Sequence, residues 1–218
     1  MTASAAVLQP AVASIASRLG LTLPPDRCMA LIHYLELLQR WNTTYNLTSV
    51  REPQQMLSQH VADCLAVVGP LARQCGADAC RLLDVGSGGG LPGAVIAIVC
   101  PGVSVTCVDT VGKKAAFVQQ VAIELQLSNL RSAHARVENL RSGPFDVVTA
   151  RAFATLSDLV RLTRNQLTPT GVWMAMKGKP PDDEIRNVPA DVSVFHVEPL
   201  EVPSLQAQRC LVWMRPSP

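Results

Sequence analysis

Ten consecutive residues, from Asp84 to Gly93, read DVGSGGGLPG and carry the densest chemical potential in the chain: an acid at the end of an apolar run, then five glycines in eight positions. Glycine admits positive φ and lets a ligand approach the backbone, which suits Gly86, Gly88 and Gly90, while Pro92 stands where a first helical turn accepts it. An apolar helix, 94–100, follows. A strand, glycine loop and helix in that order present backbone N–H groups and line the ligand crevice of an open parallel sheet. A turn without a ligand needs fewer glycines.

The ligand is less sharply specified. Gly88-x-Gly90-x-x-Gly93 matches a dinucleotide fingerprint, with Asp109 about 20 residues further on at the end of the next strand. That reading makes the chain an NAD(P)-dependent oxidoreductase. Against it, a strand-tip Asp84 is expected to face a cation and to repel pyrophosphate. The chain also lacks a Tyr-x-x-x-Lys pair, Tyr34 and Tyr45 being its only tyrosines. S-adenosylmethionine carries a sulfonium and an ammonium and no phosphate. Asp84 toward its amino-acid end and Asp109 toward its ribose hydroxyls would complement it. A third reading is a non-catalytic RNA-binding assembly factor.

The elements that must position this loop are legible in outline. Residues 1–70 read helical: Pro24-Pro25-Asp26 opens a segment with Met29, Ile32, Leu35, Leu38 and Trp41 at helical spacing. A second helix is expected from near Pro53 to a stop at Gly69-Pro70. From Arg81 onward, β-rich runs (81–85, 103–109, 145–150, 171–176) alternate with helical segments (92–100, 112–126, 155–167), the pattern of a parallel sheet covered on both faces. The runs 192–197 and 210–214 break that alternation and predict an antiparallel hairpin at a sheet edge. The expected organisation is therefore a helical extension, residues 1–70, packed on a sheet domain, residues 71–218.

Composition excludes several classes. The longest strictly apolar run, Ala94–Cys100, is far short of the ~20 residues of a membrane span. The Ala-rich start lacks the basic n-region of a secretory signal and reads as a helical arm. Seven cysteines without CxxC spacing predict reduced thiols in the cytosol, and four scattered histidines predict no metal site. Between Lys113 and Lys177, nine basic residues face four acidic ones, whereas Pro180–Leu205 holds six acids and Arg186 alone. One region is thus basic, and arginines outnumber lysines 15 to 4, suiting phosphate and base-edge contacts.

The segments NLTSV (46–50), HVADCL (60–65), LLDVGSGGGLPG (82–93), DTVGKKAAF (109–117), ARVENL (135–140), ARAFATL (150–156), MKGK (176–179) and RCLV (209–212), taken in order, resemble the bacterial small-subunit rRNA guanine-N7 methyltransferase family RsmG, also called GidB. The likeness spans Trp41 to Val212. It implies a class I S-adenosylmethionine-dependent methyltransferase fold, Rossmann-like, with a mostly parallel seven-stranded sheet, an antiparallel C-terminal hairpin and an N-terminal helical extension. It implies S-adenosyl-L-methionine as cofactor, 16S rRNA of the small ribosomal subunit as substrate with guanine 527 as target, and a cytoplasmic enzyme, expected to be a monomer. Gly86 and Leu91 would contact the cofactor, Val137 and Glu138 flank its adenine and Arg151 reach it from the fourth strand. With Asp84, Ser87, Gly88 and Asp109 these make the expected cofactor site. Gln59, Cys64 and Cys210 depart from the family pattern.

Guanine N7 has an in-plane lone pair and attacks a methyl group without first losing a proton, so no general base is expected and none can be assembled from the motifs. Positioning is the expected mechanism, with Asn46, Arg151, Lys177 and Arg209 as candidate positioners and Arg51, His60, Lys113 and Lys114 as candidate RNA contacts. With aromatics at 4% there is little material for a base-stacking platform, so RNA recognition is expected to be electrostatic and shape-based.

Overall fold

The computed structural model describes residues 3–76 and 79–217. Five helices precede the sheet: α1 (Ala3–Arg18), α2 (Pro25–Tyr45), α3 (Pro53–Met56), α4 (Asp63–Leu65) and α5 (Val68–Cys75). Met1 and Thr2 of the expected arm lie outside the described residues. Helix α2 starts on Pro25, whose missing N–H costs nothing at a first turn, with Asp26 beside the positive helix end. It stops where Asn46 turns left-handed, its N–H donating to Asn42 O.

The second expected helix is broken. A π-helical turn, Leu57–Ala62, separates α3 from α4. Gly69-Pro70 does not end it but sits inside the first turn of α5, because the leading N–H groups of a helix have no intrahelical partner and proline is tolerated there.

The sheet has seven strands: β1 (Cys80–Val85), β2 (Val103–Asp109), β3 (Leu130–His134), β4 (Phe145–Arg151), β5 (Leu167–Lys177), β6 (Val192–Pro199) and β7 (Cys210–Pro216), in the spatial order β3-β2-β1-β4-β5-β7-β6. The first five run parallel, and β7 pairs antiparallel with both β5 and β6. Between the strands lie α6 (Gly93–Val99), α7 (Gly112–Glu124), α8 (Leu156–Thr163) and α9 (Asp182–Arg186). The chain leaves β1 toward β2 on one side and later lays β4 on its other side, so a crevice opens at the carboxyl ends of β1 and β4.

Alternation along the strands sends Leu82, Val147 and Met174 to one apolar cluster and Leu83, Val148 and Trp173 to the other. The first cluster takes in Leu31, Leu35 and Leu38 of α2, so the N-terminal helices and the sheet share a core. The β-rich runs of the sequence do not mark β3, which the resemblance implies only through its total of seven strands: it is an edge strand with only Leu130 buried, and its sequence LRSAH lacks an apolar alternation. The expectation of seven reduced cysteines is also corrected. Cys75, the last residue of α5, and Cys80, the first of β1, form a disulfide at a Cα separation of 5.7 Å, and the other five are free.

Candidate functional site

Gly86, Gly88 and Gly90 all have positive φ, +64°, +56° and +78°. Gly86 N–H donates to Val108 O, and Gly90 N–H to Ser87 O, so the loop coils tightly across the ends of β1 and β2. A Cβ on Gly93 would lie 2.5 Å from Cys107 Sγ and 2.8 Å from Asp84 Oδ2, whereas one on Gly88 would meet nothing within 4 Å. Gly93 is a packing glycine. Gly88 borders open space, the opening a ligand over this loop requires.

Both strand-end acids serve the loop. Asp109 accepts from Gly88 N–H (3.0 Å) and Val111 N–H (2.9 Å). Asp84 is wholly buried, its Oδ2 accepting from Gly93 N–H at 2.8 Å and its Oδ1 unpartnered. Burial lifts its carboxyl from 3.8 to about 7, the Gly93 N–H partly opposing the shift. The expectation that Asp84 faces the ligand therefore fails: it lies beneath the loop, and its repulsion of pyrophosphate cannot decide between cofactors. From below, the Tyr34 hydroxyl donates to Gly89 O at 2.6 Å, so α2 props the loop.

Above the loop lies a cleft of about 520 Å³, walled by Thr48, His60, Asp63, Arg151, Lys177 and Arg209 as well as by Gly86, Ser87, Gly88 and Leu91. A second recess, lined by Asp109, Lys114, Val137, Glu138 and Phe153, shares Gly86 and Ala152 with it. The Phe153 ring rests on Gly86 between the two. Of the expected cofactor residues, Gly86, Ser87, Gly88, Leu91 and Arg151 line the cleft, Asp109, Val137 and Glu138 line the second recess, and Asp84 lines neither.

The cleft wall is strongly tied. Asp63 Oδ1 accepts from Arg209 Nε (2.8 Å) and Oδ2 from Arg151 Nη1 (3.1 Å). His60 is buried, its Nε2 2.8 Å from Thr48 Oγ1 and its Nδ1 unpartnered. Burial, aided by the Arg151 charge, lowers its pKa, so the imidazole is neutral at pH 7. It belongs to the cleft wall rather than to an exposed RNA contact. Lys177 lines the cleft with its Nζ bonded to Glu184 Oε2 (2.7 Å) and Ala154 O (3.0 Å), so its charge is already met.

Asn46, a candidate positioner, is exposed and outside both recesses; buried Asn42 braces the segment after α2, accepting from Thr48 N–H and donating to Val50 O. Arg51 and Lys113 are exposed and line neither recess, whereas Lys114 lines the second. Thr48, Tyr34 and Phe153 carry no signal in the sequence that marks them for the site, whereas His60 and Asp63, three residues apart on one helix face, do.

The family model for rRNA small subunit methyltransferase G (GidB) matches residues 27–212. The chain is 60% identical over 209 residues to a ribosomal RNA small subunit methyltransferase G from Acidovorax sp. (strain JS42), covering 92% of each chain. To that of Leptothrix cholodnii it is 59% identical over 201 residues, again covering 92% of each. Among solved structures it resembles an MtNAS variant in complex with S-adenosylmethionine (TM-score 0.59, 15% identity, 96% of this chain and 98% of that one). It also resembles TrmN from Thermus thermophilus (TM-score 0.54, 20% identity, 73% and 53%). The structural likenesses bear on the fold, which is class I and Rossmann-like.

Proposed function

Because the chain belongs to the rRNA small subunit methyltransferase G family, we infer that it transfers a methyl group from S-adenosylmethionine to N7 of a guanine in 16S rRNA, guanine 527 being the target. The observation that carries this reading is that the family match, residues 27–212, contains every residue of the cleft wall, from Leu38 to Arg209. Membership sets aside the oxidoreductase and the non-catalytic assembly factor. The reaction takes place on the small ribosomal subunit, hence in the cytoplasm, and the site is completed within one chain, consistent with a monomer. Residues 1–70 act as a helical extension and residues 71–218 as the methyltransferase domain, with α5 running across the junction and joining the two.

S-adenosylmethionine supplies an electrophilic methyl group on a sulfonium. The open space over Gly88, and two recesses that both border Gly86, support an extended ligand of this kind. In this reading Gly86, Ser87, Gly88 and Leu91 hold its amino-acid half, Asp109 its ribose, and Val137 and Glu138 its adenine. Arg151 and Arg209 offer donors to the target nucleotide, and their N–H groups leave the N7 lone pair to attack. No proton has to be removed before attack, so the chain's task is to align N7 with the methyl carbon about 3 to 3.5 Å away. The target is a folded, partly single-stranded RNA element, because an A-form helix hides N7 in a groove too narrow to enter.

Calorimetric titration tests the cofactor assignment. S-adenosylmethionine is expected to bind and NADH not to; preference for NADH would end the reading. Binding of small subunits should weaken steeply with salt, since phosphates dominate the contact.

A further inference from the structure

Asp63 ties together parts of the chain that the sheet alone would leave independent. It stands at the first residue of α4, directly after the π-helical turn; Arg151 ends β4, 88 residues later, and Arg209 immediately precedes β7, 146 residues later. The Asp63 side chain is 3% exposed and both its carboxylate oxygens are used. Arg151 Nη1 donates also to Gln59 O (3.2 Å), and Arg209 Nη1 to Gln208 O (2.9 Å).

One carboxylate against two guanidiniums leaves the trio with one net positive charge. Each guanidinium carries five N–H donors, and these bonds occupy only some of them. The arginine side chains retain 21% and 25% exposure in a cleft that both line. A purely structural staple would balance its charges. An excess cation with unused donors, in a cleft that receives RNA, suits a phosphate, whose oxygens take guanidinium N–H groups in pairs.

We propose that Asp63 is a positioning residue for methyl transfer: it fixes Arg151 and Arg209 side by side as one two-pronged seat for a phosphate of the target strand, and so sets where the base meets the cofactor. The proposal rests on the methyltransferase reading above.

Charge and position predict opposite outcomes for Asp63→Asn. Removing a negative charge from a surface that meets a polyanion would, on charge alone, tighten RNA binding. Loss of position instead lowers turnover, because misplacement by about 1 Å can cost on the order of 100-fold.

The experiment is steady-state methyl transfer to small subunits lacking the modification, alongside calorimetry with S-adenosylmethionine. Asp63→Asn is expected to lower kcat at least about tenfold, with KM for the subunit changed less than about threefold and cofactor Kd within about twofold. Asp63→Glu, which keeps the charge on a longer stem, is expected to recover part of that loss. In an Arg209→Met background, Asp63→Asn should cost less than in the wild-type chain, since one of the two arginines it acts through is already gone.

Turnover of a folded Asp63→Asn near the wild-type value, or a loss matched by equal weakening of cofactor binding, overturns the proposal. If Asp63→Asn does not fold, Asp63→Glu decides: reduced turnover with intact cofactor affinity supports the proposal, and wild-type turnover overturns it. Absence of transfer by the wild-type chain overturns the methyltransferase reading itself and this inference with it, so the two failures are distinguishable.

Discussion

Two buried acids, Asp84 and Asp63, show how much a carboxylate's role depends on its surroundings. Asp84 has one N–H donor and no cation partner, so burial pushes its carboxyl up to about 7; Asp63 has two arginines. The folded pKa of Asp84 exceeds its unfolded value, so the folded state binds this proton more tightly. The resulting stabilisation is fully present below about 3.8 and is lost as pH rises toward about 7. Wild type should therefore lose stability relative to Asp84→Asn across that window, by a few kcal/mol (~1.4 per pKa unit), in denaturant titrations at several pH values. Equal pH slopes would show that Asp84 ionises freely. From sequence, Asp84 and Asp109 both read as strand-end acids that face the ligand, one at its amino-acid end and one at its ribose. What separates them is depth under the loop, which depends on how Gly93 and Cys107 pack. Lys177 likewise reads as a free cation because Glu184, seven residues on, gives no sign of folding back.

The glycine loop was the most legible element, because positive φ at alternate positions leaves few residue types to choose from. Its glycines are not equivalent, however, and their differences emerge only in three dimensions. Gly93→Ala should cost about 2 kcal/mol or more by overpacking against Cys107 and Asp84, seen as a lowered Tm. Gly88→Ala meets only backbone strain, about 1 kcal/mol, but its methyl enters the space assigned to the cofactor. It should weaken S-adenosylmethionine binding at least about tenfold, about 1.4 kcal/mol, with a smaller loss of Tm. The reverse pattern in calorimetry and melting would displace the cofactor from this loop. The strands β1, β2, β4 and β5 announced themselves by apolar runs, whereas β3 is too polar to do so. The π-helical turn was hidden for a related reason: residues 53–68 carry an apolar stripe, and nothing in that stripe marks the change of pitch that accompanies His60 and Asp63 at the cleft.

Across the whole molecule, the helical extension and the sheet act together. The Tyr34 hydroxyl supports Gly89, Leu38 packs beneath the same glycine, and Asp63 reaches Arg151 and Arg209. Tyr34→Phe removes one buried hydrogen bond and strands the Gly89 carbonyl, at a cost of about 1 to 3 kcal/mol. It should weaken cofactor binding several-fold although Tyr34 lines neither recess, and unchanged affinity would show that the loop stands without α2. The sequence predicts that the helices pack on the sheet, but not these particular contacts, because they join residues 51 to 146 positions apart. Transfer of a labelled methyl group from S-adenosylmethionine to small ribosomal subunits lacking the modification, followed by mass mapping of the RNA, shows whether this chain methylates a guanine of 16S rRNA. One methyl per subunit is expected, on N7 of a single guanine. No incorporation, or a label on another atom or another RNA, would contradict it.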